Sequence, residues 1–248
     1  MDKSTKISVV LISYNGADFI KEQVISILAQ LSLQDELLIT DDGSTDQTQD
    51  IITNIDDPRI RYLDGPRKGI NTNVAFGIAN AKNDLILLSD QDDLWLPGRV
   101  EFFIEKMKSG IGFVFFDAKV IDIKGNVTIP SYFRKHNTKR TFWGNLVKCR
   151  TLGCCIGFNK AAFKPQFQLP DNYKKLPFDY YITLYALAFC KVHFSDKPYH
   201  LYRRHDKNVS TGGSRSTNSL LQMLQFRWRS LRYLGKIMAS ELNKGLEK

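Results

Sequence analysis

The sequence has little cysteine. Four thiols in 248 residues (Cys149, Cys154, Cys155 and Cys190) form no C-x-x-C pair and no regular framework. That excludes a disulfide scaffold and a spaced zinc-ligand set, and predicts reduced, buried thiols instead. Long apolar runs are also missing. No window approaches the roughly 18 apolar residues of a membrane span. The run "ISVVLIS" (7–13) passes directly into the polar "YNG", too short for the core of a secretory signal. The expected location is therefore cytoplasmic. No Gly-rich phosphate loop with a following Lys stands near the first strand; Lys68 and Gly69 lie too far along to serve. This disfavours a nucleotidyltransferase reading. Repeats, low-complexity tracts and clear linkers are absent too. With 43% hydrophobic residues, the chain can bury one sizeable core, so one α/β domain with a smaller C-terminal elaboration is expected.

The formal charge of +9 conceals an asymmetry. Residues 1–100 carry 9 basic and 16 acidic side chains, residues 101–202 carry 16 and 7, and residues 203–248 carry 10 and 3. An acidic front half and the lack of a recognition motif argue against a nucleic-acid partner. A basic back half suits phosphate groups or an anionic membrane surface.

Strands and helices alternate from the start. "ISVVLIS" is a continuous β-branched run, as in a parallel strand covered on both faces. Phe19, Ile20, Val24, Ile27, Leu28 and Leu31 recur at helical spacing. "ELLIT" (36–40) predicts the next strand, and Ser44 with Gln47 reads as a capping box for a helix to about Ile55. "IRYLD" (60–64), a helix carrying Val74, Ile78 and Ala81, and the strand "LILLS" (85–89) follow. Such alternation implies right-handed crossovers and a mostly parallel twisted sheet flanked by helices. Beyond residue 110 the alternation weakens. "GFVFFDAKVID" (112–122), "CCIGF" and "KVHFS" read as strands, 124–140 as a loop, and 179–189 as a helix. Residues 219–242 read as a long basic amphipathic helix.

In a parallel sheet, ligands bind at the carboxyl ends of the strands. Tyr14, Asn15, Asp41, Asp42, Asp90, Asp92 and Asp93 all fall there. Three carboxylates within four residues, in "SDQDD", repel one another unless a cation sits among them. Mg²⁺ or Mn²⁺ is the usual solution, because each takes carboxylate oxygens and keeps positions open for a diphosphate. The alternative is a solvated acidic turn.

The ordered set "SVVLISYNG", "ITDDGSTDQT" and "LLSDQDDLWLP" resembles the family-2 inverting glycosyltransferases of GT-A fold. The resemblance continues through "TLGCCIGFNKAAF" (151–163), "LPFDYYITLYALAF" (176–189) and "YHLYRRHDKNVS" (199–210), and so covers most of residues 7–210. In motif style it is most similar to bacterial rhamnosyltransferase-like enzymes of surface polysaccharide synthesis. The resemblance implies a GT-A domain over 1–212, with a nucleotide-binding half of about 1–98 and an acceptor half of about 99–212. A basic helical tail over 213–248 follows.

It further implies roles. Ile12 and Tyr14 would pack on the base, Asp41 and Asp42 would accept the base imide N–H, and Asp90 would meet the ribose or the metal. An imide donor implies a UDP- or dTDP-sugar, because cytosine has no N3 proton to offer. Asp92, with Asp90 and His205, would hold Mn²⁺ or Mg²⁺. Arg203 and Arg204 would touch the diphosphate from a closing loop, with the Gly/Ser-rich "STGGSRS" beside it. Asp93 would support the neighbouring carboxylates from behind or face the sugar, and Trp95 would wall the sugar or acceptor site, with a core aromatic as the alternative for Trp95. Asp179 would be the base that deprotonates a glycan or lipid-linked acceptor. Here "FDYY" departs from relatives that place His or Glu before the Asp, so a single carboxylate is offered. The rival class is a non-catalytic nucleotide- or carbohydrate-binding scaffold, which would keep the fold but lose a required carboxylate. For the tail, packing on the core, pairing with a second copy as a homodimer, and peripheral contact with the inner face of a membrane all stay open.

Overall fold

The computed structural model describes residues 5–172, 176–206, 208 and 219–246. Its first half is the predicted alternation. Strand β1 (Ile7–Ser13) leads to helix α1 (Ile20–Leu28), β2 (Glu36–Asp41) to α2 (Thr48–Thr53), and β3 (Ile60–Asp64) to α3 (Ile70–Asn80), with β4 (Leu85–Asp90) next. The spatial order is β3-β2-β1-β4 and every pairing among the four is parallel. Both faces of this layer are covered, which is why β1 and β2 are apolar without alternation. Gly77 lets α3 approach closely: a Cβ there would lie 2.4 Å from Val10 Cγ1.

The second half is mixed rather than parallel. A two-residue β5 (Leu94–Trp95) precedes α4 (Arg99–Lys108), β6 (Phe113–Ile121) and the hairpin strand β7 (Val127–Ile129). Within the stretch 124–140 expected to be a loop stand β7 and the short helix α5 (Tyr132–His136), and α6 (Phe142–Val147) follows just beyond it. Then come β8 (Ile156–Asn159), α7 (Phe178–Phe189), β9 (Val192–Arg203) and α8 (Leu220–Leu246). The sheet continues β4-β8-β6-β9-β5. Strand β8 is antiparallel to both β4 and β6, β9 is parallel to β6, and β5 is antiparallel to β9. Parallel pairing therefore dominates only the acidic front half.

Helix α8 docks through a narrow face. Leu234 and Ile237 are buried, Tyr233 meets Tyr181 of α7 edge-on at 5.7 Å, and the Arg227 guanidinium donates to the Leu146 and Val147 carbonyls that end α6. Leu220, Leu224, Trp228, Leu231, Met238 and Leu242 remain exposed along the helix. Among the described residues no helix is long and apolar enough to cross a membrane. The "STGGSRS" segment and the 212/213 division lie outside the described residues.

Candidate active site

Parallel register sets the first layer of the site. Ser13 pairs with Asp41 and Ile12 with Asp90, so the ends of β1, β2 and β4 open on one edge. Tyr14 is 56% exposed at this edge, while Ile12 is half-buried behind it. Gln91 ties the loop after β1 to the turn after β4. Its Oε1 accepts from the Tyr14 N–H (2.8 Å) and Ser13 Oγ (3.0 Å), and its Nε2 donates to the Tyr14 carbonyl (2.9 Å). Gly16 leaves room for this amide, since a Cβ there would lie 2.2 Å from Gln91 Oε1 and displace it.

Both acids after β2 are engaged. Asp41, buried, accepts from the Gly43 and Ser44 N–H groups and from Ser44 Oγ; Asp42 accepts from the Lys68 and Gly69 N–H groups. The capping box expected at Ser44 is not formed. Ser44 Oγ is drawn to Asp41 and accepts from Asn15 N–H (2.8 Å), and Asp46 takes the helix start by accepting from the Thr48 N–H (3.0 Å).

The turn after β4 gives its three carboxylates different partners. Asp90 is half-buried, and its carboxyl is pushed well above the usual range, first by burial and then by Asp93, Asp92 and Asp179. Asp92 Oδ2 meets His205 Nε2 at 2.9 Å and accepts from Asn208 Nδ2 at 3.0 Å. Burial outweighs the His205 contact and raises the Asp92 pKa to about 6. His205 is stacked on Phe19 at 4.9 Å, which fixes its ring against the start of α1. Asp90 is placed through its backbone: Gln23 of α1, fully buried, donates to Ser89 Oγ (2.7 Å) and to the Asp90 carbonyl (2.9 Å).

Asp93 does not face sugar. It is fully buried, with Oδ2 on His200 Nε2 (2.8 Å) and Oδ1 accepting from the Arg203 N–H (2.8 Å). Arg99, also fully buried, reaches His200 Nδ1 at 2.5 Å and donates to the Leu88 and Cys154 carbonyls. Arginine cannot accept, so His200 accepts at Nδ1 and donates from Nε2 to Asp93. Burial lowers the His200 pKa further and keeps the ring neutral. Trp95 is likewise a core residue, 4% exposed and packed at 4.2 Å under the Arg99 guanidinium.

Arg203 also departs from expectation. It is buried, stacked over Phe19, with Nε donating to the Asp92 carbonyl (3.0 Å) and Nη2 to Glu22 (2.9 Å). Its guanidinium therefore holds the turn rather than offering a free fork to phosphate. Arg204 lies over Tyr202, its Nη1 3.3 Å from the phenol oxygen.

Asp179 opens α7 from the opposite wall. It is partly buried, accepts the Tyr180 N–H at 2.9 Å, and is raised to about 6 by burial. It stands near enough to Asp90 to add to the upward push on that carboxyl. Asn71 of α3, 1% exposed, clamps this wall: its Nδ2 donates to the Pro170 and Leu176 carbonyls, and its Oδ1 accepts the Phe178 N–H. Asn71, Gln23, Gln91 and the Arg99–His200 pair escaped the sequence reading, because nothing local marks a polar residue as buried.

Among the described residues, tight clusters of acid, thiol and imidazole atoms occur at Asp90, Asp93 and Cys154 and at Cys154, Cys155 and His200. Neither suits a hard cation: Asp93 and His200 are already paired, and the Cys154 thiol is pushed up by burial and so stays protonated. Asp92 with His205 offers oxygen and imidazole nitrogen 2.9 Å apart at the crevice. That donor set fits Mn²⁺ or Mg²⁺, with Asp90 beside it.

A family model described as Glycosyl transferase family 2 matches residues 8–167. The chain is 27% identical over 194 residues to the UDP-Glc:alpha-D-GlcNAc-diphosphoundecaprenol beta-1,3-glucosyltransferase WfgD of Escherichia coli, covering 73% of this chain and 69% of the relative. Its matches to curated relatives cover from 14% to 69% of those relatives' own lengths. Among solved structures it is similar to Staphylococcus aureus TarS 1-349 in complex with UDP-GlcNAc, with a TM-score of 0.65 and 19% identity over 92% of this chain and 66% of that one. It is also similar to the mannosyltransferase PcManGT of Pyrobaculum calidifontis in complex with GDP-Man and Mn²⁺. There the TM-score is 0.59, with 13% identity over 98% of this chain and 77% of that one. These two likenesses establish the GT-A-type fold.

Proposed function

The chain belongs to glycosyl transferase family 2, and from that premise we propose that it moves a sugar from a UDP- or dTDP-sugar to a glycan or lipid-linked acceptor. The anomeric centre inverts, and the product is a bacterial surface polysaccharide precursor. What supports this reading is that Asp90 and Asp92 stand together where β4 ends, at the carboxyl edge of the parallel strands, and that Asp179, from a separate segment, is near enough to Asp90 to push its carboxyl up. The activity named for the Escherichia coli relative, on a diphosphate-linked lipid, supports the acceptor class.

In this reading the base lies on the exposed Tyr14 ring beside Ile12, and the spare lone pairs of Asp41 and Asp42 accept its imide N–H. Asp90 holds the ribose. Asp92 and His205 would hold Mn²⁺ or Mg²⁺, which when bound neutralises charge on the departing diphosphate. Asp179 accepts the acceptor's hydroxyl proton as its oxygen forms the new bond to the anomeric carbon and the bond to the phosphate oxygen breaks. A carboxyl raised to about 6 is ionised at neutral pH yet more basic than an ordinary aspartate. The reading keeps residues 1–212 as the transferase unit and places it at the inner face of the membrane through 219–242.

Calorimetry with UDP and dTDP, each with and without Mn²⁺, tests it. Metal-dependent binding of at least one nucleotide is expected, and binding of neither would overturn the reading.

A further inference from the structure

Helix α8 presents three faces. Ser230, Leu234 and Ile237 turn inward and are buried. Leu224, Trp228, Leu231, Met238 and Leu242 recur at steps of three, four and seven and form an exposed apolar ridge. Between them Arg229, Arg232, Tyr233 and Lys236 follow the same spacing along a third face.

That third face closes a cavity of about 460 Å³. Trp228 and the four residues of the third face line one side; Pro170, Asp171, Asn172 and Leu176 line the other. Among the described lining residues, the cations Arg232 and Lys236 stand with one acid, Asp171, in a space large enough for a diphosphate and part of what it carries, and Arg232 lies over the Trp228 ring at 5.2 Å. Trp228 belongs to both the ridge and the cavity, so an apolar chain on the ridge and an anion in the cavity would be continuous. The cavity also adjoins the crevice wall. Leu176 stands three residues before Asp179, and Asn71 binds the Pro170 and Leu176 carbonyls, holding that wall in place.

We infer that this cavity is a binding site for a phosphate or diphosphate group carried on an apolar chain, which it holds through Arg232 and Lys236. On the proposed transferase reading, on which this inference rests, the group is the anionic anchor of the acceptor. Arginine forks suit phosphate oxygens and Lys236 adds a point charge. The ridge beside them removes the carrier chain from water.

The test measures binding of farnesyl diphosphate, inorganic pyrophosphate and farnesol to the full chain by calorimetry. A parallel arm measures UDP with Mn²⁺. Farnesyl diphosphate is expected to bind more tightly than either part alone. The double variant Arg232→Ala, Lys236→Ala, both exposed and so neutral to folding, is expected to weaken it at least tenfold. UDP binding should stay within twofold, and Lys21→Ala, a distant cation on α1, should change nothing. Pyrophosphate binding as tightly as farnesyl diphosphate would overturn the carrier-chain part and leave a free-phosphate site. An unchanged affinity in the double variant, or an equal loss in Lys21→Ala, would overturn the site. Loss of UDP binding in the unmodified chain, with diphosphate binding intact, would instead overturn the transferase reading and spare the cavity.

Discussion

Asp179 carries two opposed effects of one environment. Burial lifts its pKa to about 6, so the group is protonated below that pH and ionised above it. On the proposed role, kcat/KM should fall about tenfold per pH unit below 6 and level off above it. Asp179→Asn should reduce transfer by more than 100-fold while UDP affinity stays within twofold, as read by steady-state kinetics and calorimetry. The same substitution should alter stability in the other direction. An acid whose folded pKa is raised costs nothing below its unfolded pKa, and costs most once the pH exceeds the folded value. Asp179→Asn should therefore be more stable than the parent at pH 8 by roughly 1–3 kcal/mol, and no more stable at pH 4, as thermal melts at both would show. Asp90, Asp92, Asp179 and His205 could be singled out in the sequence because the motifs that contain them resemble those of a known family. Asp93 was not, since three carboxylates in one turn look alike until the backbone points each one somewhere.

At the scale of elements, α4 is anchored by a buried cation. Arg99 holds His200 in one tautomer and satisfies two carbonyls, from β4 and from the turn before β8. Arg99→Met would leave those acceptors without donors and Asp93 less well compensated, and should cost about 3 kcal/mol in urea unfolding. The lost stability should exceed that from truncating any exposed arginine of α8. The strands of the front half were readable because burial on both faces leaves an uninterrupted apolar run. The short α5 was not, since a five-residue helix inside a basic stretch leaves too little periodicity to distinguish from a loop. Ser44 misled for a local reason: a serine three residues after a buried aspartate can bond backward to that carboxylate instead of forward to a helix, and here it does.

The molecule as a whole divides its charge along its length, with the acids gathered at the crevice edge and the cations on the far half and α8. The exposed ridge of α8 is apolar where the flanking residues are basic, the pattern of a helix that lies on an anionic surface. Leu231→Glu with Met238→Glu, at positions 43% and 52% exposed, should leave the melting temperature within about 2 °C, because neither side chain fills the core. It should reduce co-sedimentation with phosphatidylglycerol vesicles at least fivefold. A change in oligomeric state on size exclusion, with vesicle binding intact, would assign the ridge to a second copy instead.

The sequence by itself determined the parallel front half, its acidic edge, and the order in which the motif-bearing strands arrive. Those depend on periodicity and residue type, which are local properties. Only the tertiary structure decided that Asp93, Trp95 and Arg203 face inward and that β8 runs against its neighbours. It also decided that Asn71, Gln23 and Gln91 hold the walls of the site. Each of these is a contact between residues more than 40 positions apart or a choice of which side of a turn a group points, and neither leaves a mark in the local pattern.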